Sequence, residues 1–183
     1  MKQKTCKRYN IPNQVHELTF SCHKQQPFLK NKLICMFIIE AIIKAKEKHN
    51  FHIWAYVIMP EHIHLLIYPL EEDYSISEIL RSIKQPVSQR VIGYFKKNCP
   101  DKLKLFGSGR EDEPYHFWMP GGGYDRNVTS KKVLAYTVDY IHNNPVRRGL
   151  VGNPEDWEWS SAREWKIPGT GPITIDRESF PVL

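Results

Sequence analysis

Phe51-His52-Ile53-Trp54-Ala55-Tyr56-Val57-Ile58-Met59, halted by Pro60-Glu61 and resumed as His62-Ile63-His64-Leu65-Leu66-Ile67-Tyr68, is the stretch that decides the fold. Both runs are rich in β-branched and aromatic residues, and so short a break between them implies an antiparallel hairpin. Upstream, apolar positions Leu33, Ile34, Phe37, Ile38, Ala41, Ile42 and Ala45 recur at helical spacing, which predicts a helix over 28–49 starting at Pro27. Residues 14–22 alternate as a first strand. Downstream, Ser75 and Glu78 form a capping-box pattern that opens a helix over 75–97, with a kink expected at Pro86. Residues 98–114 read as a loop, Tyr115 to Met119 as a strand, Gly121-Gly122-Gly123 as a turn, and 131–144 as a last helix capped by Ser130 and stopped by Pro145. The first six elements give an α+β class: the ferredoxin-like split β-α-β arrangement, with an antiparallel sheet and helices on one face. A seventh element, the last helix, is added to it. The expected division is a domain over 1–153 and a tail over 154–183, with Trp157, Trp159 and Trp165 packing the tail back onto the domain.

Composition narrows the classes. The 183 residues are 41% hydrophobic and 25% charged, enough for a sizeable core and unlike a disordered or fibrous chain. The longest apolar stretch, Leu33 to Ile43, is broken by Glu40 and too short to span a bilayer. Met1-Lys2-Gln3-Lys4 is followed by no apolar run, so no signal peptide and a cytoplasmic location are expected. Cys6, Cys22, Cys35 and Cys99 lie far apart without a C-x-x-C pair, which disfavours disulfide scaffolds and standard zinc fingers. A net charge of +6 suits a polyanionic partner without requiring one.

Two constellations carry chemistry. His62 and His64 are two apart on a strand, so their imidazoles leave one face and can converge on one cation. Alternating histidines also simply decorate half-exposed strands, and spacing alone favours that plainer reading. On the last helix Tyr140 and Asn144 are four apart and share a face. The phenol could serve as a nucleophile and the amide oxygen as a third ligand. Taken alone, a core tyrosine and a helix C-cap before proline outweigh that reading.

Pro60-Glu61-His62-Ile63-His64-Leu65-Leu66, followed well downstream by Tyr140-Ile141-His142-Asn143-Asn144-Pro145-Val146-Arg147-Arg148-Gly149-Leu150-Val151, resembles the REP-associated tyrosine transposases, a branch of the HUH single-tyrosine transposases. Tyr124-Asp125-Arg126 and Trp157-Glu158-Trp159-Ser160-Ser161 also look like that family, so the resemblance covers residues 14–165. It implies a ferredoxin-like domain with the histidine pair on a central strand and the tyrosine helix beside it. His62, His64 and Asn144 would hold a divalent metal, Mg²⁺ or Mn²⁺, and Tyr140 would be the nucleophile, with Tyr136 one turn earlier as its rival. The implied activity is a metal-dependent single-stranded DNA endonuclease and strand transferase that forms a covalent 5′-phosphotyrosine at hairpin or palindromic repeat DNA. A monomer acting in cis is favoured over a homodimer.

Arg81, Lys84 and Arg90 on the second long helix, Arg126 after the glycines, and Arg147-Arg148 could contact phosphates, although each reads equally well as a solvated charge. Trp54, Tyr56, Trp118 and Tyr124 could stack unpaired bases, with at least two of them expected in the core. His16, His23, His49, His52 and His116 read as structural. The alternative function is a domesticated, non-catalytic DNA-hairpin-binding protein of the same fold; a two-histidine hydrolase acting on small molecules ranks last. The Gly107-Ser108-Gly109 insertion, the triple glycine and a Lys-rich N-terminal arm depart from the compact family pattern.

Overall fold

The computed structural model describes residues 8–181; Cys6 and the Lys-rich arm lie outside the described residues. The elements run β1 (Val15–Ser21), α1 (Lys32–His49), β2 (Phe51–Ile58), β3 (His62–Pro69), α2 (Ile76–Asn98), β4 (Tyr124–Val128), α3 (Lys131–Arg147) and a short α4 (Ala162–Lys166). The strands form one sheet in the order β2-β3-β1-β4, every neighbouring pair antiparallel, which is the split β-α-β arrangement expected. Among the described residues no helix is long and apolar enough to cross a membrane.

Alternation along the strands divides the apolar residues between two faces. Leu18, Phe20, Ile63, Leu65 and Ile67 join Ile38 and Ile42 of α1 and Ile79, Ile83 and Val87 of α2 in the larger core. Val15, Leu66 and Val128 face the other way, where Leu134, Val138 and Ile141 of α3 cover them. A register shift between Ile53 and Ala55 lets Trp54 and Ala55 both join the α3 side while Ile53 and Tyr56 stay in the larger core. The sheet is therefore buried on both faces, with α1 and α2 on one and α3 on the other.

Two helix boundaries differ from the sequence reading, each for a local reason. Residues 28–30 form a 3₁₀ turn, and α1 starts only at Lys32, because the Asn31 side chain caps it by accepting from the Leu33 N–H at 3.0 Å. The last helix does not stop at Pro145 but runs to Arg147. Its stop signal is Gly149 at φ +66°: the Gly149 N–H donates to the Val146 carbonyl and the Leu150 N–H to the Pro145 carbonyl, a Schellman closure. Pro145 lies close enough to that end for its missing N–H to be tolerated. By contrast, α2 passes through Pro86 as one helix.

The fourth strand is not Tyr115–Met119 but Tyr124–Val128. The 115–119 segment makes only single bridges, Trp118 to Cys22 and Tyr115 to Gly107, and Phe117 is buried in the core. Gly121 and Gly123, at φ +90° and +74°, turn the chain so that residues 124–128 lie along β1 instead. Asp125 and Asn127, poor strand formers, disguised this strand. Asp125 is there because its carboxylate accepts from buried His16 Nδ1 at 2.8 Å, while His16 Nε2 meets the Tyr74 hydroxyl at 2.8 Å.

The segment from Pro154 runs along the outer edge of β2. The Ile58 N–H donates to the Trp159 carbonyl, Ser161 N–H to the Tyr56 carbonyl, and Ile53 N–H to the Asp176 carboxylate. The indoles of Trp157 and Trp165 donate to the carbonyls of Ile58 and Trp54. An edge that would otherwise be open to strand pairing is thereby occupied.

Gly123 sets how closely the chain leading into β4 approaches β1. A Cβ there would stand 2.3 Å from the Thr19 carbonyl, and φ is +74°. Gly123→Ala is expected to cost about 1–3 kcal/mol of strain and displacement, read as a fall in Tm of roughly 2–12 °C by thermal unfolding at ~2–4 °C per kcal/mol for a chain this size.

Candidate active site

His62 and His64 open β3 on the α3 side of the sheet, opposite the alternating Ile63 and Leu65. Their Nε2 atoms lie 3.1 Å apart. Each Nδ1 has its own partner: the Glu61 carboxylate 3.0 Å from His62 and the Thr19 hydroxyl 2.9 Å from His64. Thr19 is there because β1 pairs with β3 in a register that sets Thr19 opposite His64. Neither Glu61 nor Thr19 was singled out in the sequence. Glu61 adjoins the histidine pair and could have been; Thr19 becomes visible only once the register is known.

The C-terminal half of α3 closes the site. Buried Asn144 brings its side-chain amide to His64, with Nδ2 3.1 Å from Nε2. Tyr140, one turn earlier, sets its ring edge-on to His64 with centroids 5.6 Å apart. The Arg147 guanidinium lies over the Tyr140 ring at 4.9 Å, and Arg148 donates to Glu61 at 2.8 Å. Tyr136, the rival nucleophile, is 66% exposed. His142 points elsewhere: its Nε2 is 2.8 Å from the Ser161 hydroxyl and its ring packs against Trp165, joining α3 to the C-terminal segment.

Burial and then the neighbouring His62 push His64 down to about 4, and burial also lowers His62 against the opposing pull of Glu61. Burial alone would raise Glu61, but hydrogen bonding from Arg148 and the attraction of His62 hold it below the usual carboxylate range. Both imidazoles are therefore neutral near pH 7 and keep a ring nitrogen lone pair.

These residues fit a divalent cation. The Glu61 carboxylate only accepts, and a proton on His62 Nδ1 facing it would leave the Nε2 lone pair free for a cation. The Thr19 hydroxyl serves either tautomer of His64, and half a turn of the Asn144 amide places Oδ1 where Nδ2 stands. Two imidazole nitrogens and an amide oxygen form a neutral donor set suited to Mn²⁺ or Mg²⁺ that leaves positions open. Among the described residues no group of three or more His, Cys, Asp and Glu gathers in this way. The third donor here would be an amide.

The six basic residues singled out in the sequence separate into groups. Arg147 and Arg148 stand at the site. Arg81 and Lys84, with Arg8 and Arg110, line a cleft of about 1040 Å³ between α2 and residues 106–122. The wall of this cleft bonds to β1 through Met119 N–H and the Ser21 carbonyl, and Ser21 pairs with His62, so cleft and histidine pair flank the same end of β1. Burial, then the charge of Arg8, pushes Lys84 down to about 8. Arg90 instead pairs with Glu40 and lies over the Phe37 ring, and Arg126 pairs with Glu17 at 2.6 Å and donates to Thr137. Of the aromatic residues suggested for base stacking, Trp54, Tyr56 and Trp118 are buried and Tyr124 is 51% exposed.

A histidine pair on a central strand, faced by a tyrosine from a helix packed across the sheet, is the arrangement the sequence resemblance implied for single-tyrosine transposases, and comparison with known proteins points to the same family. Residues 11–144 match the family described as Transposase IS200 like. The chain is 30% identical over 133 residues to the REP-associated tyrosine transposase of Escherichia coli K12, a match covering 73% of this chain and 67% of that protein. It is 28% identical over 115 residues to a putative REP-associated tyrosine transposase of Haemophilus influenzae, covering 63% of this chain and 61% of that one. A solved structure of a REP-associated tyrosine transposase bound to a REP hairpin superposes with a TM-score of 0.70 at 26% identity, covering 95% of this chain and 90% of that one. The chain belongs to the IS200-like transposase family and, within it, to the REP-associated tyrosine transposases.

The division of labour on α3 is testable. His142→Ala removes a buried hydrogen bond and ring packing, and is expected to cost about 2 kcal/mol while leaving Mn²⁺ affinity within twofold of wild type. Thermal unfolding and an electron paramagnetic resonance titration read the two effects separately.

Proposed function

We propose that the protein is a metal-dependent single-stranded DNA endonuclease and strand transferase that acts at hairpin DNA through a covalent 5′-phosphotyrosine on Tyr140. The observation that carries the reading is the edge-on contact of Tyr140 with His64, the same imidazole that meets His62 and Asn144. Tyr136 instead stands out in solvent, 66% exposed.

His62, His64 and Asn144 would hold the cation, Mn²⁺ or Mg²⁺. Such an ion, when bound, supplies charge neutralisation on the non-bridging phosphate oxygens. The remaining roles fall to the chain itself. Tyr140 is half-buried on a helix fixed by Val138 and Ile141 in the α3-side core, so its phenol is held rather than searching. A phenol must shed its proton to attack, and the Arg147 guanidinium stands beside it, over the Tyr140 ring at 4.9 Å. In the reaction the Tyr140 oxygen forms a bond to phosphorus and the bond to the 3′ oxygen breaks, releasing a 3′-hydroxyl after protonation. A phosphodiester is exchanged for a phosphodiester, so a second 3′-hydroxyl can reverse the step on another end without a nucleotide cofactor.

Hairpin DNA as partner is supported by the related structure that holds a REP hairpin and by the basic cleft whose wall bonds to the end of β1. All the groups named come from one chain, which supports a site assembled in cis.

Incubating the protein with a 5′-labelled and a 3′-labelled hairpin oligonucleotide in Mn²⁺ should yield a denaturation-resistant DNA–protein adduct and a free 3′-hydroxyl fragment. Tyr140→Phe is expected to abolish the adduct and Tyr136→Phe to keep it; His64→Ala should lose it with Tyr140 intact. The reverse tyrosine result would move the nucleophile. Tight binding without any adduct in Mn²⁺ or Mg²⁺ would mark the protein as a silent hairpin binder.

A further inference from the structure

We propose that Glu61 is a positioning residue that fixes the proton on His62 Nδ1 and ties the histidine strand to the end of the tyrosine helix. One carboxylate oxygen makes both contacts: Glu61 Oε1 lies 3.0 Å from His62 Nδ1 and 2.8 Å from the Arg148 guanidinium. The side chain is 16% exposed, so its oxygens are largely withdrawn from competing water.

The contact matters because of direction. The other groups around the two imidazoles are ambivalent: the Thr19 hydroxyl donates or accepts, and the Asn144 amide offers either end. An ionised carboxylate can only accept. Glu61 is therefore the one neighbour among these that dictates a tautomer, turning the His62 Nε2 lone pair toward the point where His64 Nε2 also aims. The backbone beneath it is well held, since the Pro60 carbonyl accepts from Leu29 N–H and the Glu61 carbonyl from Cys22 N–H. Arg148 reaches the same oxygen from the residue before Gly149, whose left-handed turn ends α3. The tie thus runs from the strand that carries both histidines to the helix that carries Tyr140 and Asn144.

The consequence for metal binding rests on the cation site proposed above; the tautomer does not, and it can be measured on metal-free protein. Long-range proton–nitrogen spectra of ¹⁵N-histidine-labelled protein should show His62 protonated at Nδ1 in wild type. Glu61→Gln should retain that state as long as the Arg148 guanidinium, which donates to the same position, keeps the amide oxygen rather than the NH₂ toward His62. Glu61→Ala, or Glu61→Leu should the first fail to fold, is expected to shift His62 toward the Nε2-protonated form and to weaken Mn²⁺ binding at least tenfold, the size of loss typical when a ligand's orienting partner is removed. Arg148→Ala should leave the tautomer in place. A His62 that stays protonated at Nδ1 without Glu61, or that loses this state in Arg148→Ala, would overturn the assignment. So would wild-type Mn²⁺ affinity in the Glu61→Ala or Glu61→Leu protein. A wild-type protein that binds no Mn²⁺ while its tautomer still follows Glu61 would contradict the cation site and support the role of Glu61.

Discussion

The burial of β3 on both faces is the constraint from which the rest follows. Paired to β1 on one side and β2 on the other, this strand cannot slip by one residue without driving His62 and His64 into the core beside α1 and α2 and expelling Ile63 and Leu65. The hydrophobic pattern that stabilises the sheet is thus also what presents two imidazoles side by side on the opposite face. The same register brings Thr19 under His64, and Gly123 lets β4 approach closely enough to complete that side of the sheet.

A sheet with two apolar faces needs a second cover, and α3 supplies it with Leu134, Val138 and Ile141. Its amphipathic period then carries Tyr140 and Asn144 to the histidines. The dry contact that results is what lowers His64 to about 4 and keeps it neutral, available as a ligand or hydrogen-bond acceptor rather than as a cation. Around this neutral centre the charges are arranged in tension: Arg147 over the phenol, Arg148 on Glu61, and Glu61 on His62. Stability and chemistry are served by the same helix, since His142, within the tyrosine motif, is spent on holding Ser161 and Trp165 in place.

Much of this was legible in the sequence because it depends on local periodicity. The central hairpin, the two long helices and the pairing of histidines on one face follow from alternation and helical spacing, and the topology follows from their order. What escaped depends on partners distant in the chain. The strand at 124–128 was hidden because Asp125 is chosen for His16, more than a hundred residues away, and not for strand propensity. The end of α3 was misplaced because Pro145 is conspicuous, whereas the stop is set by the conformation of Gly149. Thr19 carries no signature until the register is drawn, and Glu61, although adjacent to the histidines, meets its second partner Arg148 only in the fold.

In the function proposed above, His62 and His64 of one chain would hold a single divalent ion, with Asn144 beside them. Electron spin-echo spectroscopy of the Mn²⁺-loaded protein, prepared with natural-abundance and ¹⁵N-labelled histidine, counts imidazole nitrogens bound to the ion. The account requires two such nitrogens per Mn²⁺, falling to one in His62→Ala and in His64→Ala. A Mn²⁺ signal without imidazole coupling, or one unchanged by either substitution, would contradict it.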